Sequence, residues 1–257
     1  MQPYIFPYIG YFQLIKSVET FVFYDDVNFI KRGWINRNRI LFNDKSFLIS
    51  FPCVKASQNK LIKDVNIEIT SKDYSKILDV IFNAYKKAPH FEKVFPLIES
   101  VFLSESKNIS DLASLSIKVI SQYLELETNF LHSSTHYNDS KGQDKADRLI
   151  NITKKTGYQH YINAIGGTAI YDKEYFQDKG IHLSFLDSYA EPYSQFNNEF
   201  IPRVRTILFL VGLSILLSEI SLGFLSNVSR KASFNVAVFS SGVSKILKLF
   251  IIIPPFV

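Results

Sequence analysis

Thr20-Phe21-Val22-Phe23-Tyr24-Asp25-Asp26 is the stretch on which the rest of the chain turns. Five β-branched or aromatic residues in succession read as a buried strand, and two carboxylates end it abruptly. Carboxylates at the C-terminal end of a strand in an α/β sheet lie where such folds place their ligands. Asp25 and Asp26 are therefore candidate catalytic groups.

Upstream stands Gln2-Pro-Tyr-Ile-Phe-Pro-Tyr-Ile-Gly-Tyr-Phe-Gln13. Pro3 and Pro7 push the residues before them toward extended geometry. After Pro7, Ile9, Phe12, Leu14 and Ile15 fit a short helix. Tyrosine and glutamine supply donors and acceptors for a polar, uncharged substrate such as a sugar. Gly10 permits close approach of a backbone or ligand. Gln2, Tyr4, Tyr8, Gly10, Tyr11 and Gln13 are candidate substrate-binding residues; a proline-punctuated segment that merely packs is the alternative.

Downstream, Lys31-Arg-Gly-Trp-Ile-Asn-Arg-Asn-Arg39 sets four cations among two asparagines and the single tryptophan. Arginine forks grip phosphate bidentately and lysine serves as a point charge. Lys31, Arg32, Arg37 and Arg39 are candidate phosphate ligands. Trp34 could stack on a base or sugar ring, with Asn36 and Asn38 as polar contacts. A solvated basic face is the plainer reading. Arg39-Ile-Leu-Phe42 and Ser46 to Phe51 flank Asn43-Asp44, which predicts a β-hairpin.

Beyond the hairpin the pattern predicts a strand over 65–69 and helices over about 70–85, 91–104 and 110–124. Thr70-Ser-Lys-Asp73 resembles a capping box, and Ser110 is a candidate cap. A strand over 128–131 ends near His132, and a helix over 143–156 stops at Gly157. Strands over 158–163 and 181–186 bracket the Gly166-Gly167 turn and a short helix over 172–179. Strands alternating with helices predict an α/β fold with a Rossmann-like mixed sheet, an inserted β-hairpin and a helical segment.

Lys141-Gly-Gln-Asp-Lys-Ala-Asp-Arg148 opens the 143–156 helix. Lys141, Lys145 and Arg148 are candidate phosphate ligands at its N-terminus, with an ordinary capped helix start as the alternative. Gly166 and Gly167 leave room for a ligand or only make a turn. Neither loop is a Walker A or dinucleotide fingerprint, so no cofactor is implied. Among the scattered histidines, His132 or His136 could act as a general base. No glutamate of a zincin helix lies between them, and no metal site is expected. A serine-hydrolase elbow is missing.

The single cysteine, Cys53, excludes an intramolecular disulfide and a multi-cysteine zinc site. The first residues lack a basic n-region, so a cytoplasmic protein is expected. The net charge is +5. Residues 204–257 hold five of the 29 basic residues and one of the 24 acids, leaving 24 and 23 in residues 1–203. The body is nearly neutral, which argues against nucleic acid as a partner.

Residues 1–203 are expected to form one domain, and 204–257 an atypical hydrophobic, serine-rich tail. Residues 206–225 approach the roughly 20 apolar residues of a transmembrane helix, but Glu219 interrupts them. A reading-frame shift near Arg203 is the preferred explanation of the tail.

Met-Gln-Pro-Tyr-Ile-Phe-Pro-Tyr-Ile-Gly-Tyr-Phe-Gln-Leu-Ile15, Tyr24-Asp-Asp-Val27 and Ile30-Lys-Arg-Gly-Trp-Ile-Asn-Arg-Asn-Arg-Ile40 resemble the WbqC-like family of bacteria. So do Lys141-Gly142, Asp144-Lys145, Arg148-Leu-Ile150, Tyr161, Gly166-Gly167, Tyr171-Asp172 and Gln195-Phe196 with Glu199-Phe-Ile-Pro202. The likeness runs from residue 1 to about 203. It implies a role near O-antigen or other surface-polysaccharide biosynthesis, linked to amino-sugar modification, and carries no catalytic residues over. Relatives have an apolar first strand before Met-Gln-Pro-Tyr, so that strand is expected to be truncated here.

Three functions follow. The first is an enzyme that acylates or aminoacylates an amino sugar on a nucleotide carrier, with Asp25, Asp26 or His132 taking the proton. The second is a nucleotidylyl- or adenylate-forming enzyme. The third is a non-catalytic binder of nucleotide-linked sugars that serves assembly.

Overall fold

A computed structural model describes residues 1–43 and 45–188, and the backbone of 249–251. The sequence readings for the 204–257 tail, apart from those three residues, lie outside the described residues.

The fold is mixed α/β, with a parallel sheet and a separate antiparallel pair. Helix α1 (Ile9–Lys16) leads into β1 (Thr20–Phe23). β1 is buried along its whole length, as its unbroken apolar run requires. β2 (Arg37–Phe42) and β3 (Lys45–Ser50) form the hairpin. Asn43 takes the left-handed conformation at its turn, which asparagine tolerates.

Helices α2 (Lys72–Tyr85), α3 (Phe91–Phe102) and α4 (Ile109–Tyr123) follow. β4 (Asn129–His132) runs straight into the single turn α5 (Ser133–His136). Then come α6 (Lys145–Lys155), β5 (His160–Ala164), α7 (Lys173–Asp178), β6 (His182–Leu186) and β7 (Leu249–Ile251). The five-stranded sheet has the order β4-β1-β7-β5-β6, and its paired strands all run parallel.

Met1 also behaves as a strand residue. Its amino group donates to the Val22 carbonyl, and Tyr24 N–H donates to the Met1 carbonyl. β4 fills the other edge of β1 as far as Phe23, so Met1 shares the edge that β7 uses.

Several sequence readings need correction. Among the described residues the sheet is parallel rather than mixed, and the antiparallel pair lies apart in the hairpin. No strand forms over 65–69. The segment follows a 3-10 turn (Ile62–Asp64) and makes only one isolated antiparallel bridge, Asn66 to Asn108, flanked by bonds from Ile67 N–H to the Lys107 carbonyl and from Ile109 N–H to the Val65 carbonyl; the pairing stops where α4 begins at Ile109. The capping box at 70–73 does not close: the N-cap Ser71 makes no side-chain bond. Asn108, not Ser110, caps α4 by accepting from Asp111 N–H. Ser110 is the second helical residue and points at the Asp25 carboxylate instead.

The sheet has two covered faces. Phe21 and Phe23 belong to the large cluster shared with α1, the hairpin and α2 to α4. Val22 and Tyr24 belong to a smaller one shared with α6, α7, Tyr161 and Tyr171. This alternation along β1 sends its two terminal carboxylates to different neighbours.

Candidate functional site

Asp25 and Asp26 leave β1 as adjacent, buried carboxylates. Asp25 is enclosed by donors at the junction of β4 and α5. Its Oδ2 meets His132 Nδ1 at 3.0 Å, Ser134 Oγ at 2.8 Å and Ser110 Oγ at 3.4 Å. Its Oδ1 accepts from Ser134 N–H at 3.0 Å and lies 3.2 Å from Ser133 Oγ. Burial alone would raise the Asp25 pKa, but the hydrogen bonds and charge of His132 and Ser134 outweigh it and hold the carboxyl below the usual range.

The parallel pairing sets this geometry. Register places Phe23 beside His132, so the chain leaving each strand emerges at the same edge of the sheet. With Nδ1–H bound by Asp25, the imidazole presents Nε2 as its basic nitrogen. The ring packs on Phe23, with centroids 5.1 Å apart. A carboxylate that fixes one histidine nitrogen and leaves the other to take a proton is the arrangement of a general base.

Asp26 turns to the opposite face. Its Oδ2 pairs with Arg148 on α6 at 2.5 Å, and Ser133 Oγ donates to its Oδ1. Arg148 also donates from Nε to Ser140 Oγ, and its guanidinium lies 4.6 Å from the Tyr24 ring centre. Arg148 is thus placed with the buried carboxylates and apart from the surface cations with which the sequence grouped it. Ser133 touches both carboxylates and ties the two halves together.

The second constellation forms a pocket. The chain leaves Asp26 in a course fixed by pairing with 60–63: Lys63 N–H donates to the Asp25 carbonyl, Ile62 to Val27, and Phe29 to Lys60. It then opens into a cavity of ≈ 330 Å³ lined by Phe29, Lys31, Arg32, Asn36, Arg37 and Cys53 among others. Arg32 sits at φ +61°, a strained value for a non-glycine, and its carbonyl accepts from the Arg37 guanidinium. Asn36 is held by its bond to the Phe51 carbonyl. Burial pushes the Cys53 thiol up to about 12, so it stays protonated.

The remaining candidates separate. Arg39 contacts Ser46 across the hairpin, and Trp34 is about one-third exposed. Asn38 is buried and ties the hairpin to the N-terminal loop through the Ile5 and Phe6 carbonyls. Tyr11 donates to the Gln2 carbonyl, and Tyr4 to Gln2 Oε1, so half of the Tyr/Gln cluster is packed inward. Gln2 Nε2 is buried without a partner. Tyr8 lies at the surface, and Gln13 is half-buried. At Gly10 an added Cβ would stand 2.6 Å from Ser188 Oγ, so glycine is needed for the loop after β6 to approach α1. Lys141 and Lys145 are exposed, but the N-terminus of α6 is already capped by Asp144, which leaves less of it for an anion. His136 is exposed and bonded to Thr135 and the His132 carbonyl, away from Asp25. Gly166 and Gly167 lie in a 3-10 turn (Ile165–Ala169) just after β5.

Ser110, Ser133 and Ser134 are the contributors that the sequence reading passed over. Ser133-Ser134 directly after a strand-ending histidine was the available signal. Ser110 had none, since its partner is 85 residues away.

An α/β protein with a histidine–carboxylate pair at the carboxyl edge of a parallel sheet is the class these features define. The WbqC-like protein family matches residues 2–213, and the chain belongs to it. An uncharacterized protein of Mycobacterium tuberculosis (strain ATCC 25618 / H37Rv), Rv1507c, is 31% identical over 214 residues, covering 80% of this chain and 90% of its own. No solved structure matches. Among the described residues no helix is long and apolar enough to cross a membrane, and no group of three or more His, Cys, Asp or Glu could hold a metal ion.

Proposed function

We propose that this WbqC-like protein is a transferase that acylates or aminoacylates the amine of a nucleotide-linked sugar in bacterial surface-polysaccharide biosynthesis, O-antigen and lipopolysaccharide included. The Asp25–His132 pair carries the reading. The sugar amine attacks the carbonyl of an activated donor, the nitrogen–carbon bond forms, and His132 Nε2 takes the proton that nitrogen loses. The leaving group departs as the tetrahedral intermediate collapses, and the imidazolium returns the proton to it.

Lys31, Arg32 and Arg37 hold the diphosphate in their pocket, and Tyr8, Gln13 and Trp34 orient the sugar. A Rossmann-like core in a cytoplasmic enzyme accords with the parallel sheet and with the site's position at its carboxyl ends. Asp26 and Arg148 keep the catalytic carboxylate in place from the far face.

The test is incubation of the protein with nucleotide-linked 4-amino sugars and a panel of acyl and aminoacyl donors, read by mass spectrometry. A sugar nucleotide heavier by one acyl group, formed by the native protein and lost in His132→Ala, is expected. No mass shift with any donor would refute it.

A further inference from the structure

The carboxyl edge of the sheet holds a second polar cluster that the proposed chemistry does not use. Asn163, next to last in β5, is wholly buried, and neither its Oδ1 nor its Nδ2 has a hydrogen-bond partner. Tyr171 is 5% exposed, and its hydroxyl is also unpaired. Burial pushes that phenol up, and the nearness of Tyr24 and then Asp144 adds to it. Buried polar groups are almost always paired, so two on one side of the sheet need an explanation.

What covers them has an unusual build. Gly167 lies against the amide: an added Cβ would be 2.7 Å from Asn163 Nδ2 and 2.8 Å from Cγ. The Gly167 carbonyl accepts from the N–H groups of both Ile170 and Tyr171, which ties the turn to the phenol. Ile165 and Ile170, at the two ends of this turn, are each 45% exposed. A 3-10 turn has poorer hydrogen-bond geometry than an α-helix, and this one, at five residues, is longer than such turns usually run. Two half-exposed isoleucines thus flank a turn whose Gly167 packs on an unsatisfied amide.

We propose that Asn163 and Tyr171 form a subsite for the donor–acceptor edge of a nucleobase, uncovered when the turn at 165–169 moves aside. This rests on the nucleotide carrier named under the proposed function. A side-chain amide offers a donor and an acceptor in one plane, the complement of such an edge, and the phenol adds a further partner. Sites whose buried polar groups wait for a partner discriminate strongly against ligands that lack it.

The full protein and Asn163→Leu are titrated with UDP, dTDP, CDP, ADP, GDP and inorganic pyrophosphate, and both are melted without ligand. The native protein should bind one nucleoside diphosphate roughly tenfold or more tightly than pyrophosphate, the yield of one or two well-placed hydrogen bonds. Asn163→Leu should lose that preference, bind pyrophosphate unchanged, and melt at the same temperature or higher, because an unpaired amide has been replaced by an apolar group of similar size. A variant that keeps the preference overturns the subsite and leaves the carrier reading standing. A lower melting temperature overturns it too, since the amide must then be satisfied within the fold. Pyrophosphate binding without preference for any nucleoside diphosphate in the native protein removes the carrier reading and the subsite together.

Discussion

Asp25 and Asp26 are withdrawn from solvent, each engaged by groups from another element, while Lys31 and Arg32, a few residues on, stand exposed at the mouth of an open pocket. In the first region a buried charge survives because its partners are fixed: serine hydroxyls, a histidine and one arginine. In the second the cations stand in water, where the proposed function has them meet the diphosphate. The difference teaches what each can do. The paired carboxylates hold a geometry, and the open cations offer affinity.

Removing the arginine should break the first region hardest. Arg148→Met leaves Asp26 buried without its cation, and a loss of about 3–5 kcal/mol in unfolding free energy is expected from urea titration. Adding Asp26→Leu should recover much of it, because the uncompensated charge is then gone.

His132→Ala should separate function from fold. Turnover in the acyl-transfer assay should fall about 10²–10⁴-fold, while the melting temperature falls less than in Arg148→Met, because Ser133 and Ser134 still contact Asp25. Lys31→Ala and Arg37→Ala belong to the second region. Each should weaken diphosphate binding by about tenfold in calorimetry, with the loss shrinking as salt screens the pocket, and leave stability near native.

Acid sharpens the contrast further. The Asp25 pKa is lowered in the fold, so its stabilisation is complete above the unfolded value and disappears as pH falls through the folded one. Asp25→Asn should flatten that acid limb in pH-dependent melting. At the other end of the sheet, burial and then His182 lower His160 from 6.5 to about 4. The unfolded chain therefore takes up a proton first, and stability declines as pH drops from about 6.5 toward 4. His160→Gln should remove that decline. The smallest effect is chemical: Cys53, with its thiol pushed up to about 12, should react slowly with a disulfide reagent at neutral pH and faster once the protein is unfolded.

Local pattern carried much of this. The run from Thr20 to Tyr24 specified a buried strand, Gly157 and Gly180 marked the ends of helices, and both have the positive φ such ends require. The hairpin was legible from two β-rich runs around Asn43. What could not be read was long-range. Whether Arg148 meets phosphate or Asp26 depends on α6 packing beneath Tyr24, across 122 residues of chain. Val65 to Ile69 had strand composition but found only the three residues 107–109 to pair with before α4 begins, and β-propensity yields to that context. In the same way Asn38 sits among cations in sequence, yet folds inward to hold two carbonyls.

Among the described strands β4 is the outermost on its side of the sheet, and it carries His132 at its tip. Outer strands open more often than central ones, since only one flank is hydrogen-bonded. The Asp25 contacts to His132, Ser133 and Ser134 thus act as a latch on this outer strand. The time the imidazole spends aligned is set by how seldom that latch lifts. Amide exchange at Leu131 and Ser134 would count those openings directly.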